Sequence, residues 1–157
     1  MADFNADAVN ALLAALMSKA KTIGAFKVLI THEPKAAPAT LPALAVWWMS
    51  IGPYPPGSGL AAVSGVVTFA ARIYEAKMLE KPEDNIDKRL LAHTAQLMNV
   101  LSGAFTLTGN ARNIDLQGAA GQPLAAASGF IMHESTLFRV AEVTIPCVVN
   151  DMWNEVA

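Results

Sequence analysis

The sequence contains few charged residues. They make up 15% of its 157 residues, whereas a typical soluble domain has about 25%. None occurs from Ala36 to Ala71, from Leu90 to Ala111 or from Leu116 to Met132. The surface is therefore either bland and alanine-rich or partly buried against other subunits. We favour burial in an oligomer.

Three further shortages exclude whole classes of protein. With 11 Lys and Arg against 13 Asp and Glu, the formal net charge is -2, so nothing draws the chain generally to nucleic acid. A single cysteine, Cys147, excludes an internal disulfide framework and suits a reducing compartment. No apolar run is long enough to span a membrane, and the first residues lack the pattern of a secretion signal. We expect a soluble protein made in the cytoplasm, with no membrane partner.

Residues that carry chemistry are also scarce. The His32-Glu33 pair is followed by Pro34 and no second histidine, which rules out a zinc-protease helix. Cys147 alternates with Ile145 and Val149, as a small buried side chain would. We therefore predict no enzyme activity, no metal site and no cofactor.

The periodicity of apolar residues predicts two helices and six strands in the order α-β-β-β-α-β-β-β. The helices run from Asn5 or Asp7 to Gly24 and from Asp84 to Gly103. The strands cover residues 26–32, 43–51, 61–75, 112–116, 129–133 and 137–149. This order indicates a single α+β domain over residues 1–157, with a mostly antiparallel sheet and both helices on one face. Pro146 places the last strand at an edge or in a bulge.

Certain side chains are candidates for a subunit interface. Trp47 and Trp48 are neighbours on a strand and must point to opposite faces. The second face then needs a cover, which is either another subunit or the proline-rich turn after Gly52. Further candidates are Arg112 and Asp115, Arg139 and Glu142, which could pair between strands or between subunits or lie at solvated strand edges. Trp153, another candidate, must pack on the body or on a partner.

Several short segments are informative through their order and spacing. The segments in the first half are Thr31–Lys35 with Pro38, Pro53 with Ser58–Leu60, Arg72–Tyr74, and Pro82–Asp84 with Ile86 and Asp87. Those in the second half are Arg112–Gly118, Gly121–Leu124, and Phe138–Val140 leading to Asn150, Asp151 and Trp153. Together they resemble the tail-terminator proteins of siphophages, especially those that infect actinobacteria. The second indole of the Trp47-Trp48 pair and the lone Cys147 depart from the family pattern.

The resemblance implies a structural virion protein that forms a ring, a hexamer in this family, at the head-proximal end of the tail. Such a ring caps the tail tube, ends its polymerisation and offers the surface that joins the head. Its partners would be its own copies, the tail-tube protein and a head-completion or connector protein, with DNA only passing through. Alternatives are another head–tail connector or tail-tube subunit, or a small-molecule-binding α+β domain.

Overall fold

The first helix follows a short strand that the sequence pattern did not predict. The computed structural model describes residues 2–78, 81, 83–104 and 106–155. Strand β1 (Ala2–Phe4) precedes helix α1 (Ala6–Ile23). The Asn5 side chain accepts from the N–H of Ala8, and Gly24 ends the helix in the left-handed conformation at φ 70°. These are the cap residues expected from the sequence.

The middle of the chain forms strands β2 (Val28–Ile30), β3 (Ala43–Pro53) and β4 (Ala62–Lys77). Helix α2 (Ile86–Gly103) then follows a short 3₁₀ turn, Glu83–Asn85. Asn85, not the predicted Asp84, is its N-cap, because the 3₁₀ turn shifts the helix start along the chain. Pro82, which belongs to one of the segments of the resemblance, lies outside the described residues.

The last third contains strands β5 (Asn113–Ile114), β6 (Ala125–His133) and β7 (Thr136–Glu155). Strand β7 is central: it pairs with β4 on one side and with β1, β5 and β6 in succession on the other. The edge predicted at Pro146 is therefore local, because β7 as a whole is an interior strand. Pro146 lies where the β6 ladder has ended at Thr144 and the β5 ladder begins at Cys147, so its missing N–H costs no pairing there.

The described residues give a sheet of seven strands in the order β1-β7-β4-β3-β2, with β5 and β6 also on β7. All pairs are antiparallel except β2 with β3. Both helices pack on one face, where Leu12 and Leu16 of α1 and Leu97 of α2 meet Phe69 and Ile145 of the sheet. The predicted α+β class is confirmed. Neither helix, within the described part of the chain, is long and apolar enough to cross a membrane.

The opposite face, here called the outer face, is covered more fully than the sequence suggested. Tyr74, Phe138 and Val140 form a second apolar cluster there, and Ala37 and Leu41 of the long β2–β3 connection pack against it. Ala45 and Ala70 are buried on this face without any partner chain. A neighbouring subunit is therefore not needed to cover the centre of the sheet.

Candidate functional site

The two adjacent indoles lie on opposite faces of the sheet, as their neighbouring positions on a strand require. Trp47 is opposite Ala70 and Trp48 is opposite Phe69. Trp47 is half-buried under Arg72, whose guanidinium carbon lies 5.0 Å from the indole centroid. Trp48 is 56% exposed on the helix face, beyond the cover of α1. Trp48 is therefore the indole available to a partner.

Arg72 is the centre of a polar cluster on the outer face. Its guanidinium donates to Glu142 Oε1 at 2.9 Å and to the Tyr74 hydroxyl at 3.2 Å. Burial opposes the charge, but the hydrogen bond to Tyr74 and the nearby Glu142 carboxylate outweigh it and raise the pKa of Arg72. The Tyr74 hydroxyl is also hydrogen-bonded to His133 Nε2 at 3.1 Å. This cluster ties β4 to β7 and to the end of β6, and it keeps a permanent positive charge beside Trp47.

The charged pairs expected in the second half do not form as a group. Glu142 pairs with Arg72, whereas Arg139 lies on the helix face and donates to Asp87 Oδ1 at 2.8 Å. Arg72 and Glu142 are direct partners in the β4–β7 ladder, whereas β5 pairs further along β7, at Cys147 and Val148. Arg112 and Asp115 therefore do not pair with Arg139 or Glu142 within the chain, because they follow a different part of the strand.

Arg112 and Asp115 have separate roles. The exposed Arg112 side chain lies against Gly57, where an added Cβ would stand 3.0 Å from its Nη1. Asp115 is buried, and its carboxylate accepts backbone N–H groups from residues 117–120 at 2.7–3.3 Å. It therefore fixes the loop before β6 from within, as a side-chain anion in a nest of amides, and is not an interface group.

Trp153 packs on the body of the protein. It is opposite Phe4 in the β1–β7 ladder, with ring centroids 5.5 Å apart. Its ring lies so close to Gly65 that an added Cβ would stand 3.1 Å from it. The half-buried indole covers the end of the core beside β1. It is therefore a weaker interface candidate than the exposed Trp48.

Large apolar side chains are exposed on the two opposite margins of the sheet. Trp48 and Met49 lie on the β3 margin, where they are 56% and 59% exposed. Phe130 and Met132 lie on the β6 margin, where they are 53% and 63% exposed. Strands β4 and β7 separate the margins, so the two patches are about 14 Å or more apart across the sheet. They are two distinct surfaces.

A buried carboxylate also escaped the sequence analysis. Glu75, the extra residue of the β4 bulge, is 2% exposed at its side chain; its Oε2 lies 2.6 Å from His93 Nδ1 and its Oε1 3.2 Å from Arg89 Nε. With Lys27 and Pro42, these residues line a cavity of about 340 Å³. His93 itself is partly buried. The spacing of Arg89 and His93, four residues apart on one helix face, was the available signal for a shared partner.

The described residues contain no group of three His, Cys, Asp or Glu side chains that could hold a metal ion. Cys147 is buried, and burial raises the pKa of its thiol to about 12. The sequence matches no protein-family model and no curated protein.

Proposed function

We propose that the chain is a structural virion protein that assembles as a ring on the head-proximal end of a phage tail tube, ends tube growth and presents the surface for head joining. The resemblance described above carries the identity of the class. The structural observation that best supports it is the pair of exposed apolar margins, Trp48 with Met49 and Phe130 with Met132.

Two different patches on opposite sides of one subunit suit a heterologous contact, in which each copy meets the next with a different surface. Such contacts close into a ring when the rotation between copies divides a full turn. The absence of charged residues from Ala36 to Ala71 fits such a contact at the β3 margin, because desolvating charges at the core of an interface is costly. At the β6 margin the Arg139 guanidinium lies 4.5 Å from the Phe130 ring centroid and is paired with Asp87. A ring with one face that matches the tube and one that does not would stop further stacking.

Electron microscopy of the purified protein, with and without polymerising tail-tube protein of the same phage, tests the proposal. With the tail-tube protein present, we expect tubes that are capped at one end by a ring and halted in length. A Trp48→Glu variant should lose this capping, whereas Leu60→Glu, which places the same charge on a fully exposed turn residue, should keep it. Filaments of this chain alone would instead indicate a tube subunit. Tubes of unchanged length beside free protein would reject the proposal.

One observation favours a second candidate function, a small-molecule-binding domain. The Glu75 cavity brings a buried carboxylate, an imidazole and a guanidinium together, which is the convergence of polar groups that such a domain needs. Thermal-shift screening of small organic anions and amines tests it, with Glu75→Gln as the variant that should abolish any stabilisation found. A panel that leaves the melting temperature of the native protein unchanged would argue against this function.

A further inference from the structure

Strand β6 presents an open edge. It pairs with β7 along its whole length in continuous register, and no other strand of the described chain pairs with its outer side. Natural edge strands are usually protected by a charge, a proline or a bulge. From Ala125 to Met132 the strand has none of these. The β3 edge, by contrast, carries a bulge at Met49 and ends in Pro53.

The tight turn before β7 determines which backbone groups of β6 face outward. Glu134 and Ser135 both have positive φ, 47° and 66°, as a two-residue type I′ turn requires. In such a hairpin His133 and Thr136 form the hydrogen-bonded pair, so the even-numbered residues of β6 direct their N–H and C=O groups away from β7. The carbonyls of Pro146 and Val148 agree with this alternation, because they accept from Asp115 and Arg112 on the same side of β7.

The side chains along β6 are small in its first half and large in its second. The strand reads Ala-Ala-Ala-Ser-Gly-Phe-Ile-Met-His from Ala125 to His133. If two copies pair antiparallel about Gly129, every large residue meets a small one. Phe130 lies opposite Ser128 and Met132 opposite Ala126 on one face, and Ile131 lies opposite Ala127 on the other. A parallel in-register pairing would instead stack Phe130 on Phe130.

We propose that β6 binds β6 of a second copy, which makes one continuous antiparallel sheet across a two-fold axis at Gly129. The self-complementary sequence selects a second copy as the partner, since an isologous contact needs a surface that fits itself. The strand itself carries no charged residue from Ala125 to Met132. Each copy also places Arg139 near the axis, where its guanidinium donates to Gly129 O at 3.0 Å, and Asp87 balances that charge within the same copy. Nine residues span about 30 Å. The exposed Phe130 and Met132 side chains lie along this edge and would be buried with it, which adds apolar area to the contact.

The β6 dimer follows from the open edge alone and does not depend on the proposed tail-capping function. It would, however, cover one of the two margins that we assign to the ring. The free protein would then be a dimer whether or not it caps a tail.

Cysteine cross-linking tests both the partner and the register. Residues at position 129 of the two copies would form a non-hydrogen-bonded pair, with Cα atoms about 4.5 Å apart, which a disulfide can bridge. Nothing lies within 4 Å of a Cβ added at Gly129, so Gly129→Cys fits the fold. The native Cys147 is buried and gives a silent background. We expect Gly129→Cys to form a disulfide-linked dimer under mild oxidation, at least tenfold faster than the exposed α2 control Ala95→Cys.

The flanking positions discriminate the two-fold pairing from random collision. Ala127→Cys and Ile131→Cys should each remain unlinked alone, and a mixture of the two should cross-link, because residue 127 of one copy faces residue 131 of the other. Light scattering of the wild-type protein should give a dimer mass that falls on dilution. Linking of Gly129→Cys no faster than Ala95→Cys, linking of Ala127→Cys with itself, or a monomer mass at every concentration would each overturn the proposal.

Discussion

Asp115 allows the sharpest test of how the structure is held together. Its buried carboxylate is the shared acceptor for four consecutive backbone N–H groups, those of residues 117–120, at 2.7–3.3 Å. Each hydrogen bond to a charged group contributes about 1.5–3 kcal/mol, although bonds that share one acceptor do not add fully. Removing the carboxylate leaves these donors without their acceptor in a partly buried loop. We expect Asp115→Ala to lower the free energy of unfolding by about 3–5 kcal/mol.

Asp115→Asn separates charge from shape. In the native protein the N–H of Ala120 donates to Oδ2 at 2.7 Å. The asparagine amide keeps one acceptor oxygen but turns an NH₂ group toward that N–H. We expect a loss of about 2–3 kcal/mol, which corresponds to a fall in melting temperature of roughly 4–12 °C for a chain of this size. The control is Asp87→Asn, which makes the same chemical change in a 74% exposed carboxylate paired with Arg139 and should cost at most about 1 kcal/mol. Urea unfolding followed by tryptophan fluorescence measures all three variants. Equal losses for Asp115→Asn and Asp87→Asn would refute the role assigned to the buried carboxylate.

Three further predictions concern buried polar groups. Burial raises the pKa of Cys147 from 9.0 to about 12. The reaction of its thiol with a thiol reagent at pH 8 should therefore be limited by unfolding, and rapid labelling of the native protein would contradict this. The contribution of the buried thiol to stability should be lost as the pH rises from about 9 toward 12. Arg72→Lys loses the stacking on Trp47 and the pair of hydrogen bonds to Glu142. It should lower the free energy of unfolding in urea by about 1–2 kcal/mol, whereas the surface control Lys88→Arg should show no measurable loss. Glu75→Gln removes the buried carboxylate that lies beside Arg89 and His93 and should cost about 2–4 kcal/mol; a value below about 0.5 kcal/mol would mean that water already screens the cluster.

The parts of the fold that depend on local pattern could be predicted from the sequence. Helix α1 shows a continuous apolar stripe with Asn5 and Gly24 at its ends, so both its existence and its caps were evident. Strand β6 was placed too late, because Ala125 to Ser128 are small residues with little strand preference. The ladder with β7 imposes the extended conformation on them. Strand β1 was not predicted because its three residues form a strand only through pairing with the end of β7.

Contacts between distant residues could not be read from the pattern. Arg72 and Glu142 are 70 positions apart, and they meet only because β4 and β7 pair in one particular register. The bulge at Glu75 follows this pair and turns the Glu75 carboxylate toward Arg89 and His93 of α2. Asp115 lies far from Arg139 because β5 pairs with β7 at Cys147 and Val148, whereas Arg139 lies at the other end of the strand, beside Asp87.

The two margins of the sheet differ in the kind of contact that they can make. At the β3 margin the bulge at Met49 and the proline at position 53 interrupt the backbone donors, so a partner there must be held by side chains, above all by Trp48. At the β6 margin the backbone itself is open. A ring that joins the two margins would have to exchange the β6 pairing of a dimer for a weaker side-chain contact. If the chain caps a tail tube as we propose, contacts with the tube would supply the difference in free energy, and the ring would close only on the tube.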